Sequence, residues 1–193
     1  DEEFLDRLSK LDKICDHFHL SLQAGSDKIL KKMNRKYDRD TYLEKISLIR
    51  SYYPNAGLTT DIMVGFPEES ENDFLDTLDM VKMINFSKVH VFRYSQRKGT
   101  PAASYKNQIS GTVKKERSER LRNLADESEK IFLDKQIGKT LAVLFEEKDG
   151  SFNTGHSKNY LKVYVESQEY LEGQINNVII VSRKNNFLIG KIC

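Results

Sequence analysis

A change of hydrophobic period near Gly138 divides this chain into two kinds of structure. Before it, stretches with apolar residues at helical spacing alternate with short runs of strict apolar–polar alternation; after it, only the short runs remain. Phe4, Leu5, Leu8, Leu11 and Ile14 recur at helical spacing and lead into the alternating run Phe18-His19-Leu20-Ser21-Leu22-Gln23. Ser26 is placed to cap a short helix carrying Ile29, Leu30 and Met33, and Asp40 to cap the next, with Leu43, Ile46 and Ile49 on one stripe. A second strand over 58–64 is ended by Gly65-Phe66-Pro67. Ser70 and Asp73 then form a capping-box pattern for a helix through Ile84, whose buried side is Phe74, Leu78 and Val81. Residues 87–94 alternate again as a third strand, 95–110 are polar and broken by Gly99 and Pro101, and 112–135 read as a long charged helix.

Strands separated by helices imply parallel βα units with one-handed crossovers. Past Gly138 the runs 141–145, 161–165, 178–181 and 187–192 are separated by Gly150, Gly155 and Gly173 without a helix, the pattern of a small antiparallel barrel of four or five strands. The expected fold class is therefore α/β: part of a parallel βα barrel with a trailing helix over 1–137, then an antiparallel, OB-like β-barrel over 138–193.

A chain of 193 residues with 38% hydrophobic composition can fill such interiors. No apolar stretch approaches the roughly 18 to 20 residues a membrane helix needs, and Asp1-Glu2-Glu3 is unlike a signal peptide, so a cytoplasmic location is expected and a membrane partner is not. The net charge of +2 does not by itself declare a nucleic-acid binder. Cys15 and Cys193 are too few and too far apart for a disulfide framework or a metal site; Cys15 is expected to pack on the apolar side of the first helix.

In a parallel barrel, reactive groups lie at the C-terminal strand ends or on the lumen face. His19, Ser21 and Gln23 share one face of the first strand, Thr59, Asp61 and Met63 one face of the second, and His90, Phe92 and Tyr94 one face of the third. If the opposite faces pack on helices, these sets converge on one cavity. A mid-strand Asp is also a common structural hydrogen-bonding residue, and lone histidines such as His19 and His90 are commonly satisfied core or rim groups. No metal-ligand spacing and no nucleophile motif occurs. The residues alone thus give a ligand-binding βα domain and a β-barrel, without a reaction.

The segments His19-Leu-Ser-Leu-Gln-Ala-Gly-Ser26, Met33-Asn-Arg-Lys-Tyr37, Thr59-Thr-Asp-Ile-Met-Val-Gly-Phe-Pro67, Phe86-Ser-Lys-Val-His-Val-Phe-Arg-Tyr-Ser95 and Arg97-Lys-Gly-Thr-Pro-Ala-Ala103 resemble, in order, motifs of the radical S-adenosylmethionine methylthiotransferases. Gly155-His-Ser-Lys-Asn-Tyr160 and its flanking strands resemble the TRAM domain that ends these enzymes. The wording of the fourth and fifth segments is most similar to the branch acting on N6-threonylcarbamoyladenosine beside the tRNA anticodon; the isopentenyladenosine branch and the branch modifying a ribosomal protein are the alternatives. The resemblance implies insertion of a methylthio group at C2 of the adenine, with S-adenosylmethionine and two 4Fe-4S clusters in the full-length enzyme. It also implies that Ser21, Gln23 and Asp61 line the S-adenosylmethionine cavity, with Gly65 and Phe66 at its adenine end. Arg35 either answers the methionine carboxylate or makes a helix-surface ion pair.

The sequence departs from the family in two respects. It has no Cys-x-x-x-Cys-x-x-Cys, so the cluster ligands, the N-terminal domains and about half the barrel are expected upstream of Asp1, and this piece is expected to be inactive alone. Its second-strand loop reads Pro67-Glu68-Glu69-Ser70 where the family has Pro-Gly-Glu-Thr, which puts a side chain where that glycine would turn left-handed. For the tRNA anticodon loop the expected contacts are His156, Lys158, Lys162, Arg183 and Lys184 on the barrel, in preference to the cations of the long helix, which share it with enough carboxylates for i, i+4 pairing. A free-standing RNA-binding protein, with the βα part as scaffold, is the competing reading.

Overall fold

The structure is a computed structural model and describes residues 1–193. Its elements are α1 (Glu2–Ser9), β1 (His17–His19), α2 (Asp27–Lys32), α3 (Arg39–Tyr52), β2 (Gly57–Val64), α4 (Glu71–Ile84), β3 (Lys88–Arg93), a 3-10 turn (Pro101–Ser104), α5 (Gly111–Asp134), and β4 (Thr140–Asp149), β5 (Phe152–Ser157), β6 (Lys162–Glu166), β7 (Ile175–Lys184) and β8 (Phe187–Ile192). No helix is long and apolar enough to cross a membrane.

The first three strands form a parallel sheet in the order β1-β2-β3, with Phe18 opposite Leu58 and Asp61 opposite His90. The face carrying Leu58, Ile62, Val64 and Val89 is buried against the helices in one hydrophobic cluster with Phe74, Met80, Val81 and Leu121. Helix starts follow the local chemistry. Ser26 accepts from the Ile29 N–H, and Ser70 with Asp73 closes the capping box. Asp73 is held as a carboxylate well below its usual range: burial opposes this, but hydrogen bonds from Lys28, Ser26 and Ser70 outweigh it.

Three local expectations are corrected. The first helix ends at Ser9, where the Lys10 N–H closes onto Arg7 and Leu8 carbonyls, so Leu11 is exposed in the turn that follows and Cys15 is exposed outside any helix. Asp38, not Asp40, caps α3, because its side chain reaches the Thr41 N–H while Asp40 already lies in the first turn. The first strand is three residues long; past His19 its main chain bonds to β2 through Leu20 N–H to Thr59 O, Leu22 N–H to Thr60 Oγ1 and a single bridge at Gln23, whose φ of 65° breaks the alternation.

The remaining five strands close a barrel in the order β4-β5-β6-β8-β7, with β7 returning to β4. Four of its seams are antiparallel, but β6 and β8 run parallel, a correction to the all-antiparallel expectation that follows from inserting β8 between β6 and β7. Strand β5 has no apolar alternation because its buried side chains are polar, namely Asn153, Thr154 and Ser157, and Asn153 ties down the 167–171 loop through Ser167 O, Glu169 O and the Leu171 N–H.

Helix α5 serves both cores. Leu121 and Ala125 belong to the sheet's cluster, whereas Phe132 and Leu133 belong to the barrel's, beside Val143, Phe145, Val163 and Leu188. The barrel also abuts the start of β2: Asn159 donates to Asn55 O, Lys139 to Asn55 Oδ1, and the Asn159 carbonyl lies where a Cβ on Gly57 would be, so only glycine fits there.

At its N-terminal end α5 is fixed by an ion pair: Arg117, 6% exposed, donates to Glu69, 3% exposed, at 2.6 Å. Removing one partner of a buried pair strands the other charge, so Arg117→Ala is expected to cost about 3 to 5 kcal/mol, read as a lower urea midpoint with an unchanged m-value. A loss below about 1 kcal/mol would show that the pair contributes little.

Candidate functional site

The sheet's other face is polar at its start and mixed at its end. Register sets Thr59 against Lys88, Asp61 against His90 and Met63 against Phe92, with His17 and His19 alongside on β1 and Ser21 just past its end. His19 is the centre of a small network. Its Nδ1 lies 3.0 Å from Thr59 Oγ1, and its Nε2 lies 3.2 Å from Ser21 Oγ and 3.4 Å from Asp61 Oδ2. Ser21 donates to Asp61 at 3.5 Å. His17 Nε2 is 3.1 Å from the same Thr59 hydroxyl. One hydroxyl carries one proton, so at least one of the two imidazoles must donate to it. Burial, and secondarily the neighbouring His19, hold the His17 imidazole below its ordinary pKa.

Farther along the strands, Gln23, Arg35 and Phe66 line an open cavity of about 630 Å³ with Met63, Arg93 and Tyr94. Phe66 meets Tyr94 edge-on at 5.3 Å, and the buried Tyr94 hydroxyl has no partner. Arg35 makes no ion pair, so the helix-surface pairing considered for it does not form. The six residues expected in one cavity are therefore divided. Gln23, Arg35 and Phe66 share it, Ser21 and Asp61 sit below it with His19, and Gly65 does not reach it. Gly65, at φ 72°, is covered by the aliphatic part of Lys114, and its N–H donates to Glu69 Oε2 at 2.8 Å. The close approach its missing side chain permits is to Lys114. Glu68 occupies the left-handed conformation itself, at φ 66°, held by Lys32 on its carboxylate and Lys28 on its carbonyl.

His19 was open to a bland reading, and its signal was its place two residues before Ser21 on the same strand face. On the barrel the expected cations do not make one patch. Arg183 pairs with Asp134 of α5 at 2.7 Å, on the exposed surface. His156 lies 2.6 Å from Glu146 and stacks on Tyr160, with centroids 4.8 Å apart and planes at 16°. Lys162 sits 5.3 Å over the Tyr164 ring and 3.9 Å from Glu147, while Lys158 and Lys184 are exposed without ion pairs. On α5, Arg117 and Arg120 pair with Glu69, Glu71 and Glu116. The residue that the sequence did not single out is Tyr160. No group of three or more His, Cys, Asp or Glu side chains is placed to hold a metal ion.

Residues 1–81 match the model of the Radical SAM superfamily. Over 99% of its length the chain is 44% identical to "tRNA-2-methylthio-N(6)-dimethylallyladenosine synthase" of Thermoanaerobacter sp. (strain X514), and over 100% it is 38% identical to the protein of that name from Campylobacter jejuni subsp. jejuni serotype O:23/36 (strain 81-176). The chain spans 41% and 45% of those relatives. Among solved structures, coproporphyrinogen III oxidase from Escherichia coli, described as a Radical SAM enzyme, superposes with a TM-score of 0.55 at 18% identity, covering 66% of this chain and 30% of that one. That likeness concerns the fold, and it agrees with the βα half of the expected architecture.

The shared Thr59 hydroxyl gives a direct test. In an imidazole NMR titration His17 is expected to titrate below 6.5, and His19→Asn should raise its midpoint, because both the neighbouring charge and part of the burial are removed. A His17 midpoint at or above 6.5 in the parent chain would contradict this geometry.

Proposed function

We propose that this chain is the C-terminal part of a radical S-adenosylmethionine tRNA methylthiotransferase acting on N6-dimethylallyladenosine, made of the second half of the catalytic barrel and a TRAM-type tRNA-binding domain. The observation that carries the reading is 44% identity across both the sheet and the barrel, 99% of the chain, to a relative of that name. That name also moves the substrate from the threonylcarbamoyl derivative, favoured by the motif wording, to the dimethylallyl one, which is the isopentenyladenosine alternative. Unbroken similarity across the two halves disfavours a free-standing RNA-binding protein. A cytoplasmic setting, with tRNA as partner, follows from the same reading.

The residues present suit S-adenosylmethionine. The 630 Å³ cavity offers an apolar, aromatic wall in Met63, Phe66 and Tyr94, an unpaired guanidinium in Arg35, and an orphaned buried hydroxyl on Tyr94. The same residues do not suit an iron–sulfur cluster: two exposed cysteines lie at opposite ends of the chain, where such clusters need several convergent thiolates. Cluster ligation belongs to the upstream domains of the same protein. S-adenosylmethionine, when bound, supplies the radical precursor and the methyl group.

This chain's residues bind and orient. Phe66 and Met63 cover an adenine face and exclude water from it. Asp61 accepts hydrogen bonds from ribose hydroxyls, with Ser21 beside it, and His19, itself held by Thr59, fixes the Asp61 carboxylate through Nε2. Arg35 answers a carboxylate, and Gln23, turned by its positive φ, presents its amide to the same cavity. An unpaired polar group in such a site costs about 1 to 3 kcal/mol. The barrel supplies tRNA contacts through Lys158, Lys162, Lys184 and His156.

In the complete enzyme, with cluster content verified, Asp61→Ala and Gln23→Ala should each weaken S-adenosylmethionine binding by about tenfold, the equivalent of about 1.4 kcal/mol, and leave tRNA affinity intact. Parental cofactor affinity in both variants would make these residues structural. Removing 138–193 should weaken tRNA binding and flatten its dependence on salt; an unchanged salt slope would reject the barrel as the RNA module. Nucleosides from cells lacking the gene should lose the methylthio group from dimethylallyladenosine, and loss from the threonylcarbamoyl nucleoside instead would restore the other branch.

A further inference from the structure

All four histidines of this chain, at 17, 19, 90 and 156, line one cleft of about 500 Å³ between the start of the sheet and the barrel. It lies at the opposite end of the strands from the 630 Å³ cavity, Thr59 and Met63 being four residue steps apart along β2, or about 13 Å. Of its lining the cofactor reading uses only His19 and Thr59, as support for Asp61, and it leaves the barrel side of the cleft unassigned. Its walls come from three sources: His17, His19, Thr59, Lys88 and His90 on the sheet, Glu129 on α5, and His156, Tyr160 and Lys162 on the barrel.

We propose that this cleft is a binding site for one nucleotide of single-stranded RNA, its base laid against Tyr160 and its phosphate held by Lys162. The proposal rests on the reading of the barrel as an RNA-binding module and assigns that module a specific subsite. Tyr160 is 62% exposed although its ring already stacks on His156 and stands 5.0 Å from His17 at a 35° tilt. A large exposed aromatic in a concave site is a platform on which any base can stack.

The backbone holds this platform out deliberately. Tyr160 sits in the left-handed region at φ 64°, unfavourable for a bulky residue, and is kept there by its N–H on Ser157 O at 2.8 Å and by Asn159 anchored to Asn55. The surrounding groups match a nucleotide better than a metal or an apolar ligand. No three of the imidazoles converge as metal ligands. Both nitrogens of His19 are taken by Thr59, Ser21 and Asp61, but His17 Nδ1 and His156 Nε2 have no hydrogen-bond partner in the chain and suit the edge of a base. Among the cations, Lys88 is neutralised by Glu129 at 3.0 Å to both oxygens, whereas Lys162 has only Glu147 at 3.9 Å and remains available to a phosphate. Lys158, two residues before the platform, is exposed without an ion pair.

The test uses the 193-residue chain, a fluorescein-labelled heptameric adenylate RNA, and AMP as the free-nucleotide probe. Tyr160→Ala is expected to weaken heptamer binding by about tenfold or more, while Tyr160→Phe, which keeps the stacking face, stays within about twofold. Saturating RNA should shift the imidazole NMR signals of His17, His19 and His156 together. Parental affinity in Tyr160→Ala with unmoved imidazoles overturns the proposal and leaves the barrel's RNA role standing, since the RNA then binds elsewhere on it. AMP binding as tight as the heptamer's overturns the RNA assignment in favour of a free nucleotide. Failure of the parent chain to bind the heptamer at all removes the barrel's RNA role and this site with it.

Discussion

Much of the molecule's geometry depends on where one buried carboxylate finds its partners. Glu69 lies at the exit of β2, and burial pushes its carboxyl up in pKa despite the Gly65 N–H and the Arg117 guanidinium that favour its charged form. A charge at that depth is tolerated only where geometry compensates its desolvation. Satisfying it fixes three things at once: the left-handed turn at Gly65, the start of α4 through the adjoining capping box, and the seat of α5 on the sheet. Lys114 then closes over Gly65, which explains why the strand end expected to approach a ligand is sealed by protein.

The division of the polar face into two sites follows from the short first strand. A β1 continuing regularly to Gln23 would have kept Ser21, Gln23 and Asp61 on one surface. The positive φ at Gln23 swings its side chain toward Phe66 and Arg35, and Ser21 stays with His19 and Asp61. Two chemistries result on one sheet: an imidazole–hydroxyl–carboxylate network near the strand starts, and an aromatic, guanidinium-flanked cavity near the strand ends.

The parts of the fold legible in the sequence were those with a local cause. Ser26, Ser70 and Asp73 cap as their spacing required, and the apolar faces of β2 and β3 pack as alternation required. The parts that escaped have non-local causes. Strand β5 is shaped by Asn153 bonding to a loop some fifteen residues on. Arg183 is claimed by Asp134, a partner far away in sequence. Tyr160 entered only as the end of a segment resembling the TRAM domain, and its significance comes from His17 and His156 meeting it across the junction of two folds. The left-handed turn kept at Glu68 in place of glycine shows that tertiary contacts, here with Lys28 and Lys32, can hold a conformation that the residue type disfavours.

Helix α5 is 24 residues, about 36 Å of rod, and places side chains in both hydrophobic clusters. Such a rod cannot fray at one end without withdrawing Phe132 and Leu133 from the barrel, nor at the other without withdrawing Leu121 from the sheet. The two cores are thereby coupled in folding as well as in place: melting of either removes a wall from its neighbour, and the chain behaves as one cooperative unit and not as two beads on a linker.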